Sequence, residues 1–355
     1  MKSKYLTGRW ELSCLIINLI IYKVFTDAPR RFMESGTSAF LAALISAAIS
    51  YAVIWFLPCV YKKAEVKNIF ELFEKNVIAT ILSGIIILSW LILSGAYALE
   101  SLVTFSKIAA FPSAPFAFVA IFFLLAFAAA VLRGMDGAVR PHALIVPFYI
   151  FMILFMLSSV IRYFDATNLL PVFGEGIKET FFVGIKNISY FFDFILIFLI
   201  NPFIKEKENL AKTVRISGAV GIFVNLLIIL SVNLLLPYPA SGQVEFPVYQ
   251  IMKNVYFGRF FQRIDAVYLL SVSLSGMGYL SFIVFLMTYV FKKTFRFENN
   301  RPFVWTFSFI VLFLAMLIHK GYTSYLYNLL MIFEGAGVVL ITFAPLVFIS
   351  RRSKK

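Results

Sequence analysis

Charged residues, histidine and cysteine are scarce in this sequence, and each scarcity excludes something. Of 355 residues, 14% are charged and 61% are hydrophobic, with a mean hydropathy of +0.90. Soluble domains average about 25% charged and about 45–50% apolar residues. A water-soluble globule has too little interior for this much apolar side chain, because the buried fraction is limited by surface-to-volume scaling. A disordered chain is excluded by the same composition. Two cysteines, Cys14 and Cys59, both inside apolar runs, exclude a disulfide framework. The two histidines, His142 and His319, fall at opposite ends of spans and on opposite membrane faces, so they cannot share a metal or a haem. A Walker loop, G-x-S-x-G, H-E-x-x-H and C-x-x-C are all missing. The expectation is therefore a protein that is not an enzyme, with no cofactor and no metal.

What the chain has is apolar runs. A bilayer crossing takes about 20 apolar residues, and ten such spans are read at 11–33, 37–60, 77–106, 115–132, 142–161, 177–203, 214–236, 264–291, 303–319 and 324–350. No soluble domain interrupts them, so residues 1–355 are expected to form a single polytopic, all-α membrane domain. Lys2, Lys4 and Arg9 precede the apolar run 12–22, and no small-residue cleavage site follows it. The run is read as a first span that stays attached.

The net charge of +14 fits this frame without nucleic acid. Placing the N-terminus in the cytoplasm puts 21 of the 32 Lys and Arg in cytoplasmic segments and 10 outside, with Lys23 within a span. Such a bias sets orientation, and an even number of spans returns the C-terminus to the cytoplasm. The segment 62–75 reads as a short amphipathic helix lying in the membrane interface, with Ile69, Leu72 and Phe73 on one face.

Two spans look interrupted. The first contains Lys23, Asp27 and Pro29, followed by Arg30 and Arg31; the sixth runs from Gly174 through Asn187 and Asp193 to Pro202. Irregular backbone at membrane depth is tolerated only where protein or a water-filled cavity covers it. Spans one and six correspond if ten helices are two halves of five, about 11–161 and 170–350. Interrupted segments in corresponding positions point to an inverted-repeat fold with its binding site at the breaks.

Charges inside spans sharpen this. Each costs about 2.5–3.5 kcal/mol on insertion scales, so it normally faces a partner or a cavity. Lys23, Glu100, Asp193, Asp265 and Glu334 are the candidates. Glu100 and Asp265 lie near outer span ends. Lys23, Asp193 and Glu334 lie deeper, and Lys23 is expected to be neutralised by Asp193 or Glu334. Such a pair either only fixes helix packing or borders a ligand cavity. Polar side chains placed to line a pocket are Ser94 and Tyr97 on span three, Ser189 and Tyr190 on span six, and Tyr268, Ser271 and Ser275 on span eight. The last three are spaced by three and four residues, which puts them on one helix face.

Three segments carry a resemblance. Residues 246–266, FPVYQIMKNVYFGRFFQRIDA, resemble the outer segment before span eight in the B subunits of bacterial spore germinant receptors, with its G-x-F-x-x-R-I-D-A run at Gly258 to Ala266. Residues 169–178, LLPVFGEGIK, resemble that family's approach to span six, and residues 133–140, RGMDGAVR, its loop between spans four and five. The resemblance implies a permease-like member of the amino acid–polyamine–organocation superfamily with a LeuT-like 5+5 inverted repeat and broken helices one and six. It implies sensing of a small nutrient, typically an amino acid, in a spore inner membrane, in complex with a larger A-type subunit and a C-type lipoprotein. By position it points to Lys23, Val24, Ser94, Tyr97, Ser189, Tyr190, Phe191 and Tyr268 as ligand-binding residues. One departure is plain: the family usually carries glycine at the break in span one, where this chain has Ile21-Tyr22-Lys23-Val24-Phe25. The same fold also serves ordinary amino acid permeases, and fold alone does not fix function.

Overall fold

A computed structural model of the chain describes residues 7–26, 31–64, 69–73, 76–205, 207–238, 241, 244, 246–253, 264–299 and 301–352. Helices account for every span: α1 (Arg9–Thr26), α2 (Ala39–Ala64), α3 (Val77–Ala109), α4 (Phe116–Leu132), α5 (His142–Val160), α6 (Ile177–Lys186) continued by a tight three-residue-per-turn helix at 188–203, α7 (Leu210–Leu235), α8 (Ile264–Phe295), α9 (Pro302–Leu317) and α10 (Thr323–Arg352). Seven helical stretches are long and apolar enough to cross a membrane by length and composition. One of these, Pro302–Val347, has 46 residues. At about 1.5 Å per residue that is roughly twice one crossing. A wide π-helical turn at Ile318–Tyr322, with Gly321 at φ 110°, divides it into α9 and α10. The two helices outside that set are short or charged: α4 has 17 residues, and α1 carries Arg9, Glu11 and Lys23. The protein is a multi-pass integral membrane protein.

Local sequence explains several boundaries. Asn76 caps α3, its side chain accepting from the Ala79 amide at 3.2 Å, which satisfies one of the donors a helix start leaves open. The first span departs from expectation in one respect. Ile21 to Phe25 stay helical, and α1 ends at Thr26. No glycine there relaxes the backbone, and the helix is unbroken through Lys23 to Thr26; residues 27–30 lie outside the described ones. The sixth span breaks at Asn187, whose φ and ψ are −97° and 15°. The Asn187 amide donates to the Val183 carbonyl at 3.0 Å and to the Arg31 carbonyl at 3.4 Å. One side chain thus closes the end of α6 and reaches the chain just beyond α1.

The LLPVFGEGIK segment has a structural task. Gly174, at φ 52°, passes so close to the turn after α1 that a Cβ there would sit 2.2 Å from the Ser35 carbonyl oxygen. The Ser38 and Thr180 hydroxyls bond across the same junction at 2.8 Å. The amphipathic segment is helical over Ile69–Phe73, with Ile69 and Phe70 buried; its flanks at 65–68 and 74–75, and residues 254–263 of the 246–266 segment, lie outside the described residues.

Helix packing carries a two-fold pattern. Counting helices one to five against six to ten, α1 packs on α7 as α2 does on α6, and α3 packs on α10 as α8 does on α5. Likewise α3 meets α9 as α8 meets α4, and α1 meets α5 as the 188–203 helix meets α10. Corresponding helices also meet: α1 with 188–203, α2 with α7, α3 with α8, α4 with α9. Two halves without recognisable shared sequence therefore repeat one arrangement.

Candidate functional site

The centre of the bundle is a charge cluster. Lys23, in the last turn of α1, places its Nζ 3.0 Å from Asp193 Oδ1 on the 188–203 helix and 3.2 Å from Glu334 Oε1 on α10. Asp193 and Glu334 are almost wholly buried, and Lys23 is largely so. Buried ions must recover their lost hydration through partners, and these three do. The other Asp193 oxygen accepts from the Tyr279 hydroxyl at 2.7 Å. Tyr279, on α8, stacks on Tyr22 with ring centroids 4.6 Å apart, and Tyr22 donates to the Ala98 carbonyl of α3 at 2.8 Å. Three helices and the 188–203 segment thus meet around one ammonium, and Tyr22 ties α3 to them.

Beside the cluster lies a cavity of about 50 Å³. Lys23 and Arg31 line it with positive charge, Glu334 with negative charge, and Ser94, Tyr97 and Ser101 of α3 with hydroxyls; Tyr22, Ala98, Tyr279 and Leu330 complete the wall. Arg31 also lies over the Tyr327 ring of α10, 5.1 Å from its centroid. A water needs roughly 10–15 Å³ of such space. The cavity therefore takes a few waters or the polar end of a small molecule, and anything larger must part the surrounding side chains. With two cations and one carboxylate at its border, it offers complementary charge to a molecule bearing both signs.

The expected site residues divide by position. Lys23, Ser94 and Tyr97 line the cavity together with Glu334, and Asp193 anchors Lys23 from behind. Tyr190 backs the cluster, its ring centroid 5.9 Å from Lys23 Nζ, while its hydroxyl accepts from Asn225 at 3.2 Å. Val24, Phe191 and Tyr268 are buried in the core and do not line this cavity. Phe191 meets the rings of Phe32 and Tyr190, and Tyr268 those of Phe25 and Phe105. Ser189 turns to the Met331 sulfur at 4.0 Å. Ser275 bonds Asn18 of α1 at 2.6 Å instead of facing the cavity, and the Ser271 hydroxyl bonds back to the Val267 carbonyl. Sequence reasoning missed Tyr22, Tyr279, Arg31, Ser101 and Asn225. Asn225 donates to both Tyr190 and the Ile20 carbonyl, at 3.2 and 3.1 Å. A buried asparagine in the middle of an apolar span was its only signal. The tyrosines gave none, being 17 in number and spread along the chain.

This bundle is shared by membrane transporters of unrelated sequence. MhsT in complex with L-phenylalanine superposes with a TM-score of 0.71 at 14% identity, covering 96% of this chain and 89% of that one. A Na+-coupled sialic acid symporter gives 0.68 at 12% identity, covering 95% and 78%. A manganese transporter of Eremococcus coleocola gives 0.61 at 11% identity, covering 94% and 77%. At such identities the likeness establishes the fold, which is that of a LeuT-like, permease-type membrane protein. No curated protein sequence matches the chain. The family is settled by sequence: residues 9–323 match the spore permease family of spore germination proteins, and the chain belongs to it.

Proposed function

We propose that this chain is the nutrient-sensing subunit of a spore germination receptor. It binds a small molecule such as an amino acid in the mid-membrane cavity and signals to A-type and C-type lipoprotein subunits in the spore inner membrane, with both its own termini in the cytoplasm. The observation that supports this most is the cavity walled by Lys23, Ser94, Tyr97 and Glu334, where α1, α3 and α10 meet. A ligand larger than the present space must rearrange Lys23 and its two carboxylates, so binding and helix position are linked. Such a link shifts a conformational equilibrium only by the ligand's differential affinity for the two states.

The test is nutrient-triggered germination of spores carrying Lys23→Met or Tyr190→Ala. The half-maximal nutrient concentration is expected to rise about tenfold, equivalent to about 1.4 kcal/mol of binding, in spores matched for the level of this protein. An unshifted dose response in both variants overturns the assignment of the cavity. Uptake of labelled amino acids into vesicles holding this chain alone separates sensing from transport: robust accumulation establishes an amino acid permease instead.

A further inference from the structure

A second cavity lies at the end of the bundle away from the N-terminus, and it shares no lining residue with the first. It is larger, about 270 Å³, and is lined by Thr104, Lys107, Ile108, Pro112 and His319. Along α3 it begins one turn beyond Ser101, the last α3 residue of the inner cavity. We infer that this cleft binds the phosphate headgroup of an amphiphile, a membrane phospholipid, with Lys107 as its anchoring cation. The proposal goes beyond nutrient sensing and does not depend on it.

The walls are held in place. The His319 ring stacks on Phe116 with centroids 4.2 Å apart and planes 20° from parallel. Its Nδ1 lies 3.6 Å from Glu100 Oε1, and that same oxygen accepts from the Thr104 hydroxyl at 2.8 Å. Glu100 is thus occupied by the wall itself. Among the described residues no carboxylate pairs with Lys107, and Lys320 follows His319 in the same turn. Among the described residues, the cleft therefore presents positive charge open to an outside anion.

The remaining lining, Ile108 and Pro112, is apolar, so the anion it fits carries hydrocarbon. The surroundings set the depth. Phe111, Tyr322 and Tyr325 are 56%, 59% and 67% exposed around this end of the helices, as aromatic side chains are at a membrane–water boundary. Lys107 sits in the last turn of α3, where helix carbonyls favour a cation. An ammonium at headgroup depth above an apolar wall matches a phosphodiester above its acyl chains, whereas inorganic phosphate would use only the charged half.

The test uses the full-length protein in maltoside micelles, which hold no phosphate. Acylation of Lys107 by an amine-reactive ester is followed by peptide mass spectrometry, with exposed Lys63 as reference. Dioctanoyl phosphatidylglycerol is expected to protect Lys107 saturably, by at least about tenfold, and to raise the unfolding temperature. Dioctanoylglycerol and inorganic phosphate are expected to do neither. In Lys107→Gln and His319→Ala proteins the phospholipid concentration needed for half of the unfolding shift is expected to rise about tenfold. Equal labelling with and without phospholipid overturns the proposal, as does an unchanged shift in both variants. Protection by inorganic phosphate alone overturns it in favour of a free-anion site, and equal protection by dioctanoylglycerol reduces it to apolar coating.

Discussion

Tyr279 and Asp193 form the pivot of the buried cluster: the phenol donates to Asp193 Oδ2 at 2.7 Å while Oδ1 of the same carboxylate holds Lys23 at 3.0 Å. Asp193 is thereby tied to α8 as well as to α1, and its geometry cannot change without moving one of them. Glu334 has the looser role. It contacts the same ammonium from α10 and lines the cavity, so under the proposed function it is the partner that a ligand would displace.

Removal of the cation alone is expected to cost far more than removal of all three charges. Lys23→Met leaves Asp193 and Glu334 as buried carboxylates without their cation, and breaking a buried ion pair in this way costs about 3–5 kcal/mol. The triple variant Lys23→Met, Asp193→Asn, Glu334→Gln is expected to recover at least half of that loss. Thermal unfolding of the purified variants measures it; a triple variant no more stable than the single one shows that the cluster is not a mutually compensating set.

Asn225 joins three helices through one amide, donating to Tyr190 and to the Ile20 carbonyl. Tyr190→Phe removes one of these bonds and is expected to cost about 1 kcal/mol, whereas Asn225→Ala removes both and is expected to cost about 2 kcal/mol. Chemical denaturation of the two variants gives the comparison. Equal losses would mean that the Ile20 bond contributes nothing.

Gly335 and Gly337 lie on either side of one register of α10 and are expected to respond oppositely to alanine. A Cβ on Gly337 would meet Trp90 Cε3 at 2.5 Å, while one on Gly335 meets nothing within 4 Å. Gly337→Ala must push α10 away from α3, an overpacking that costs about 1–3 kcal/mol, and it displaces Glu334 in the process. Gly335→Ala is expected to leave the unfolding temperature and the nutrient response near wild type. The pair of unfolding temperatures is the measurement, and a tolerated Gly337→Ala removes the close packing of α3 on α10 from the account.

Outside the spans, Asp165 caps the turn at 166–169 by accepting from the Thr167 hydroxyl and amide, at 2.6 and 2.9 Å. Those bonds favour the ionised carboxylate, the hydroxyl foremost, and hold its pKa below the ordinary value. The capping contribution is therefore fully present above that ordinary value and is lost as pH falls through the lowered one. Thr167→Val is expected to move the Asp165 titration upward, read by carbon NMR of the labelled carboxyl. An unmoved titration leaves the hydroxyl without a role.

The division between what could be read early and what could not follows from range. Hydropathy and charge bias are properties of consecutive residues, so ten spans and the membrane class were legible, as were the five costly charges. The interruption at Asn187 was legible because polar residues gather there. The exact place of the interruption in span one, read between 11 and 33, was less legible, since helix continuity through Ile21–Phe25 depends on a missing glycine rather than on the lysine between them.

By itself the sequence determined that this protein lies in a bilayer and that Lys23, Asp193 and Glu334 needed company, because desolvation penalises each of them wherever it sits. Only the tertiary structure decided the company. It brought residues 170 and 311 positions away to one ammonium, added Tyr279 behind them, and turned Val24, Phe191 and Tyr268 into core. Pairing across helices depends on the rotation and height of each rod in the bundle, quantities that packing against several neighbours sets at once and that no single span encodes.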